Sequence, residues 1–296
     1  PCLPVIAGDF RWRAAFVNFG TFFLSPGRPR VLIVHNRYLQ RGGEDAVVDS
    51  ELRLLLHKGH AAVIFERSSE AMRSSAVAIA KDLVWNSAVH RELMDELKQF
   101  KPDVVHVHNT FPLISPSIYW AISKLGIPVV QTLHNFRLMC PQAMLLRNGR
   151  VCEDCVGKIP WRAAIHRCYR GSAVQSTALA GMLVAHRVLG TYQQKVTRFI
   201  ALNDFCRDVF VRAGLSADRV CVKPNFVEDH GVGDGDVRDG FLFVGRLSTE
   251  KGISTLADAL SECAGLRCEV VGNGPEEARL AHVVAAQLHG WRDEDF

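Results

Sequence analysis

The chain has 296 residues, 48% of them hydrophobic and 22% charged, the balance of a globular protein long enough for one large or two ordinary domains. A formal net charge of +4 argues against wholesale nucleic-acid binding, which takes a concentrated basic face, and no apolar run reaches the length of a membrane span. Nine cysteines is an odd number, and Cys2, Cys206, Cys221, Cys263 and Cys268 show no ligand spacing, so a reduced, cytoplasmic chain fits better than a disulfide scaffold.

Residues 1–28 read as a leader: Arg11 and Arg13 precede the apolar stretch AAFVNFGTFFL, and no small-residue cleavage site follows. RVLIVHN (30–36) is the first buried strand. The RGGE turn and a helix follow, with Val48, Leu52, Leu55 and Leu56 on one face and Gly59 placed to stop it. AAVIF (61–65) is a second strand, Val89, Leu93, Leu97 and Phe100 mark a second helix, and DVVHVHN (103–109) is a third strand. Ser115-Pro116 predicts a helix start, the hydroxyl as cap and the proline in the first turn; Ile118, Ile122 and Leu125 give the apolar face and Gly126 the end. PVVQTLHN (128–135) is a fourth strand.

The alternation then breaks for a basic, cysteine-bearing insertion at 137–172. A largely apolar helix over 176–190, expected to be well buried, resumes it. A strand RFIALND (198–204), a short helix ending at Gly214 and a strand RVCVKPN (219–225) complete a domain over 29–228. DHGVGDGDVRDG (229–240) is a linker, rich in glycine and aspartate with little to bury. A second unit, 241–296, alternates again: a strand at 241–246, a helix with Ile253, Leu256, Ala257 and Leu260 on one face, the strand CEVVG (268–272), and a helix from Pro275 to Leu288. Repeated β-α alternation predicts an α/β protein of two Rossmann-like parallel-sheet domains facing a cleft, the second incomplete with about two strands.

In open parallel sheets ligands gather at the carboxyl ends of strands. Gly42-Gly43 sits there, before a helix; paired glycines let a phosphate approach backbone N–H groups, but an ordinary tight turn reads the same way, and the dinucleotide fingerprint is missing. Arg246 and Lys251 flank a strand-to-helix turn in the second unit. Two cations there can neutralise a departing diphosphate in place of a divalent metal, or be solvated surface charges; Glu250 between them is placed to pair with either. His134 ends the fourth strand within reach of a sugar hydroxyl. His106 and His108 share a face of the third strand; His106 reads as a core histidine, His108 is open, and His108 with Asn109 is assigned to the acceptor side.

Cys140, Cys152, Cys155 and Cys168 give C-x11-C-x2-C-x12-C, compatible with a structural tetrahedral zinc, with His166 able to replace Cys168, and equally with reduced thiols. Around them Lys158, Arg162, Arg167 and Arg170, with Trp161 and Tyr169, suit an anionic or lipid-linked acceptor or a peripheral membrane surface; a solvated basic loop is the plainer reading.

RGGED, DVVHVHNTFPLISP, PVVQTLHNFRLMCP, VKPNFV, VGRLSTEKG and VVGNGPE, in that order between residues 30 and 288, together resemble the retaining family-4 glycosyltransferases of the GT-B fold. The resemblance implies transfer of a sugar from a nucleoside diphosphate sugar to an acceptor hydroxyl, with retention at the anomeric carbon and no metal required. It implies that Arg246 and Lys251 hold the donor diphosphate, that Gly42 and Gly43 approach the same phosphates, that His134 contacts the donor sugar, and that Gly272 and Gly274 form the turn near the nucleotide. No general base is assigned, since the donor phosphate can take the acceptor proton. The family's Glu-x7-Glu element is not found: Glu269 and Glu277 have the separation, but Glu269 falls in a strand, and the second domain reads as truncated or frame-altered. Two further readings stand beside this one, a non-catalytic fragment binding an acceptor or partner through the first domain, and a nucleotide-sugar epimerase of the same architecture, which the motif order disfavours. Sugar, nucleotide and acceptor (a glycan, a lipid-linked or a small molecule) are left open.

Overall fold

The computed structural model describes residues 27–38, 42–68, 81–227, 240–263 and 265–292; the expected leader and linker lie almost wholly outside them. The chain divides into two units, residues 1–228 and 229–296.

The first unit is built on a six-stranded sheet in the order β2-β1-β3-β4-β7-β8, every pair parallel. Its strands are β1 (Val31–Arg37), β2 (Ala62–Ser68), β3 (Val104–Asn109), β4 (Val129–Leu133), β7 (Arg198–Ala201) and β8 (Val220–Val222). Leu32, Ile33, Val34, Val105 and Val107 are wholly buried, because helices cover both faces of a parallel sheet and leave no polar side. On one face α2 (Ser87–Phe100) brings Val89, Leu93 and Leu97, and α3 (Ile118–Lys124) brings Ile118 and Ile122. On the other α1 (Gly43–His57) packs Val48, Leu52 and Leu55 over Val31 and Ile33. The strand order turns back on itself at β1, with β2 to one side and β3 to the other, so the loops after β1 and β3 open a crevice at the carboxyl edge.

Local sequence chemistry sets several boundaries. Asn86 and Asn203 cap α2 and α7 (Asp204–Arg212) by accepting the Val89 and Cys206 N–H groups. Three expectations change. Leu56 is exposed: eight residues beyond Val48 it is rotated by roughly 80° from it, and Glu51 takes the buried place. Ser115 does not cap a helix. It has φ 64°, and its hydroxyl accepts the Asn86 N–H at 3.0 Å, tying the start of α2 to this loop; α3 therefore begins after Ser117. The apolar helix α5 (Ala173–Val188) buries Leu179, Met182 and Leu183 but leaves Val174 and Val188 exposed, so it is half buried. Between β4 and α5, the insertion carries only the hairpin β5 (Leu146–Arg147) and β6 (Arg150–Val151) and the single-turn α4 (Arg162–Ile165); α6 (Thr191–Lys195) follows α5.

The second unit holds three parallel strands in the order β11-β10-β9: β9 (Phe241–Val244), β10 (Cys268–Val271) and β11 (Ala286–Gly290). The helix expected from Pro275 to Leu288 is instead α9 (Glu277–Leu280) followed by β11, which makes three strands rather than two. An alanine-rich apolar run is ambiguous between helix and strand; here the open edge of β10 decides it, pairing Cys268 with Ala286 and Val270 with Leu288. Leu247, Ile253, Ala257, Leu260, Val270 and Leu280 form the core, with α8 (Ile253–Glu262) on the sheet.

The turn after β9 is stitched to the turn after β10: Gly245 N–H donates to Val271 O at 2.9 Å, Leu247 N–H to Asn273 O at 3.0 Å, and Glu276 N–H to Leu247 O at 3.0 Å. A β-carbon on Gly272 would meet the Gly245 carbonyl, and one on Gly274 the Leu247 carbonyl. Gly274→Ala is therefore expected to cost about 1–3 kcal/mol, whereas Gly181→Ala, in mid-helix with nothing within 4 Å of its added carbon, is expected to be neutral or stabilising by up to about 1 kcal/mol. Urea unfolding of both variants checks the contrast.

Candidate active site

The polar groups of the first unit concentrate where the parallel strands end. Glu51 is buried on the inner face of α1. Its carboxylate accepts Lys223 Nζ–H at 2.8 Å, from the loop after β8, and lies 3.1 Å from His106 Nδ1 and 3.2 Å from His108 Nε2, both on β3. His106 Nε2 reaches Thr132 Oγ1 on β4 at 2.8 Å, and His108 Nδ1 reaches His134 Nε2, just past β4, at 2.9 Å. The rings of His108 and His134 stack at 5.1 Å. One carboxylate thus gathers side chains from α1, β3 and the loop after β8, and through His108 it touches the residue after β4.

Chemistry orders the protons in this chain. His108 Nε2 has no hydrogen-bond partner among the described residues; a hydrogen on it, turned toward an acceptor-only carboxylate, leaves His108 Nδ1 to accept from His134 Nε2–H. Burial pushes the Glu51 carboxyl up, but hydrogen bonds from His106 and His108 outweigh it and hold the group far below the usual carboxylate range. Burial, reinforced by His106, pulls His108 down to about 3; burial pulls His134 down to about 4. Both rings are neutral at physiological pH, and the positive partner of Glu51 is Lys223.

A cavity of about 40 Å³ adjoins this chain, lined by His108, Asn109, Gln131, His134, Asn135 and Arg137 among others. Gln131 Oε1 and Arg137 Nε on its wall are buried without a hydrogen-bond partner among the described residues. Asn109 has both ends of its amide engaged, donating to Asn36 O and accepting the Phe111 N–H, so it organises the loop after β3 rather than standing free for an acceptor.

Gly42 caps α1 with an extended backbone (φ −123°), its N–H bound to Asp45 Oδ2 at 2.8 Å, and Gly43 is the first helical residue. A β-carbon on Gly42 would meet only Asp45 Oδ2 at 3.8 Å, and one on Gly43 nothing within 4 Å. Neither glycine is demanded by its backbone angle or by packing. In the second unit Arg246 and Lys251 occupy the turn between β9 and α8, and both are exposed. Glu250 accepts the Ser248 hydroxyl at 2.6 Å, and neither cation forms an ion pair with a described residue. Gly272 and Gly274 are the residues whose missing side chains let the Arg246 turn lie against the turn after β10.

All four insertion cysteines, Cys140, Cys152, Cys155 and Cys168, line one further cavity of about 20 Å³; His166 is not on its wall. Glu51, Thr132 and Lys223 escaped the sequence reading. Glu51 had a signal: a carboxylate three residues after Val48 and four before Leu55 belongs to the apolar face of its own helix. Lys223 and Thr132 had none, since only the fold brings them to it.

The family model described as Glycosyltransferase Family 4 matches residues 41–230. The fold is similar to that of HepE from Anabaena, solved in complex with UDP and glucose (TM-score 0.56, 13% identity, covering 90% of this chain and 70% of that one). It is also similar to the apo form of the lipopolysaccharide outer core galactosyltransferase WaaB (TM-score 0.51, 16% identity, 90% and 69%). At these identities the likeness is one of fold, the GT-B architecture of two α/β units with parallel sheets. No curated protein matches the sequence.

The neutral histidines fix a pH dependence. Unfolded histidine titrates near about 6.5, well above the folded values of about 3 for His108 and about 4 for His134. Between those limits the unfolded chain binds more protons, so stability falls as pH drops below 6.5, by up to about 2.7 kcal/mol per pH unit for two groups. Below the ordinary carboxylate range Glu51 adds to the loss in the same direction. Urea midpoints from pH 8 to pH 5 are expected to decline from about pH 6.5 and to flatten in His108→Gln/His134→Gln; a flat wild-type profile contradicts the assignment.

Proposed function

The chain belongs to glycosyltransferase family 4, and from that premise we propose that it transfers a sugar from a nucleoside diphosphate sugar to an acceptor hydroxyl with retention of configuration. The observation that carries the reading is the pair Arg246 and Lys251, unpaired among the described residues, on the turn that leaves the carboxyl end of β9. HepE, a protein of similar fold, is solved with UDP and glucose, which supports a nucleotide sugar as the donor class.

The bond from the anomeric carbon to the diphosphate breaks and leaves charge on a phosphate oxygen. The two cations offset that charge as it grows, and fixed charges stabilise a transition state without reorganising. They supply the compensation from the chain, so no metal is assigned to the step. The acceptor oxygen bonds to the anomeric carbon on the same face, and its proton passes to the departing phosphate. In the first unit His134 Nδ1 is assigned to a donor-sugar hydroxyl, with Glu51 and His108 fixing its tautomer. Gly42 and Gly43 are assigned to phosphate: Asp45 takes the Gly42 N–H, and the missing Gly43 side chain leaves the first α1 N–H groups open. Gln131 and Arg137, the unpartnered polar atoms of the adjoining cavity, suit a hydroxylated ligand.

We assign the reaction to the cytoplasm, where the acceptor is a glycan, a lipid-linked or a small molecule. Among the described residues no helix is long and apolar enough to cross a membrane. Exposed Ile159, Trp161 and Ile165 beside Lys158, Arg162 and Arg167 suit peripheral contact with an anionic membrane.

Two sets of variants test the reading. Arg246→Ala and Lys251→Ala are each expected to weaken nucleoside diphosphate binding by about 10- to 100-fold, one charge-assisted contact apiece, in calorimetry with UDP, GDP and ADP. Unchanged affinity in the double variant overturns it. Gly43→Ala is expected to leave the urea midpoint unchanged or raised, because the added carbon meets nothing, while raising the donor KM. A lost fold, or an unaltered KM, contradicts the phosphate role.

A further inference from the structure

Beyond Arg137, the insertion takes no part in the chemistry proposed above, yet it gathers four soft ligands at one place. Cys140 follows the turn after β4, Cys152 and Cys155 follow β6, and Cys168 follows α4. All four are free thiols and all four line the same cavity of about 20 Å³. The other described cysteines are dispersed: Cys206 on α7, Cys221 on β8, Cys263 just after α8 and Cys268 on β10.

Apolar packing anchors one side of the insertion, through Met139, Cys140 and Leu145, but accounts for little of the hairpin and α4. The hairpin strands have two residues each, α4 has four, and Val151, Ile159, Trp161 and Ile165 are turned to solvent. Met139, Cys140 and Leu145 pack into the core of the first unit and Val156 lies against it, while the outer part of the segment is tied by Arg147 and Arg162 to Asp154 and by Arg212 to Glu153. Exposed pairs of this kind contribute little each. Five non-glycine residues here, Ala143, Leu145, Asn148, Arg167 and Arg170, nonetheless hold positive φ, which a loosely tethered loop does not sustain.

We propose that Cys140, Cys152, Cys155 and Cys168 form a structural site for a single tetrahedral, thiophilic divalent cation, zinc by preference. Binding displaces the four thiol protons and replaces them with four metal–sulfur bonds. The Arg147 and Arg162 side chains on the cavity wall, both paired with Asp154, leave one net positive charge to offset part of the negative charge of four thiolates on a dication.

Tetrahedral zinc with bonds of about 2.3 Å needs sulfurs about 3.8 Å apart. The thiols stand wider than this: among the described residues the trio whose ligating atoms fall within 4.8 Å of one another is Glu51, His106 and His108. Closing to that distance requires χ1 rotation of the cysteines toward the cavity the four already line. The Glu51 trio is not the better site, because the Lys223 ammonium 2.8 Å from the carboxylate already supplies its positive charge.

The test is metal content of the full chain, purified under reducing conditions without chelator. About one zinc per chain is expected. After chelation, cobalt(II) is expected to restore one equivalent with intense near-ultraviolet thiolate charge-transfer bands and visible tetrahedral bands. Cys155→Ser is expected to weaken binding at least about 10-fold, and Cys206→Ser, outside the cluster, to leave it unchanged. Should Cys155→Ser fail to fold, zinc stoichiometry and the cobalt spectrum of the unsubstituted chain still decide. Zinc below about 0.1 per chain with no thiolate–cobalt band overturns the site. So does metal that survives in Cys155→Ser and is lost in His106→Ala.

Discussion

Every strand in both principal sheets runs in the same direction, and that constraint governs where chemistry can reside. A parallel strand hands its chain to a crossover at its carboxyl end, so each sheet gathers its functional turns along one edge. In the first unit that edge carries Gly42, His108 and His134; in the second it carries Arg246, Lys251 and the Gly272–Gly274 turn. Side chains far apart in sequence meet there without any local signal. Glu51 and Lys223 are separated by 172 residues and share a hydrogen bond of 2.8 Å.

Glu51 shows how such an edge is kept ordered. A buried carboxylate is costly unless charge and hydrogen bonds answer it. Lys223 supplies the charge and His106 the hydrogen bond. The result is a fixed chain of donors and acceptors from α1 through β3 to His134. A histidine held this way keeps one orientation and one protonation state, which suits the sugar contact proposed for His134. The second unit uses a different device: backbone hydrogen bonds and two glycines press one turn against another, and the turn that results displays two cations.

The strands of the first sheet were legible because their apolar runs are nearly continuous, as in Val31–Val34 and Val104–Val107, and α2 was legible because Val89, Leu93 and Leu97 keep strict helical spacing. The failures have physical causes. Ser115-Pro116 has the local form of a helix cap, but the hydroxyl was claimed by Asn86, a partner 29 residues away. Residues 286–290 have weak strand character, and pairing with β10 settled them. The strand-end positions of Arg246, Lys251, His134 and the paired glycines could be read from the sequence. Glu51 was hidden by the assumption that a helix's inner face is apolar, while Lys223 and Thr132 depend on tertiary placement alone.

The central claim is that the turn between β9 and α8 grips a diphosphate. Amide chemical shifts of the isotope-labelled chain during titration with UDP, GDP and ADP in turn test it most directly. Saturable shifts concentrated at residues 245–252 and 272–274 for at least one nucleotide are the expected result. Binding that leaves those amides unmoved, or no binding by any of the three, would contradict it.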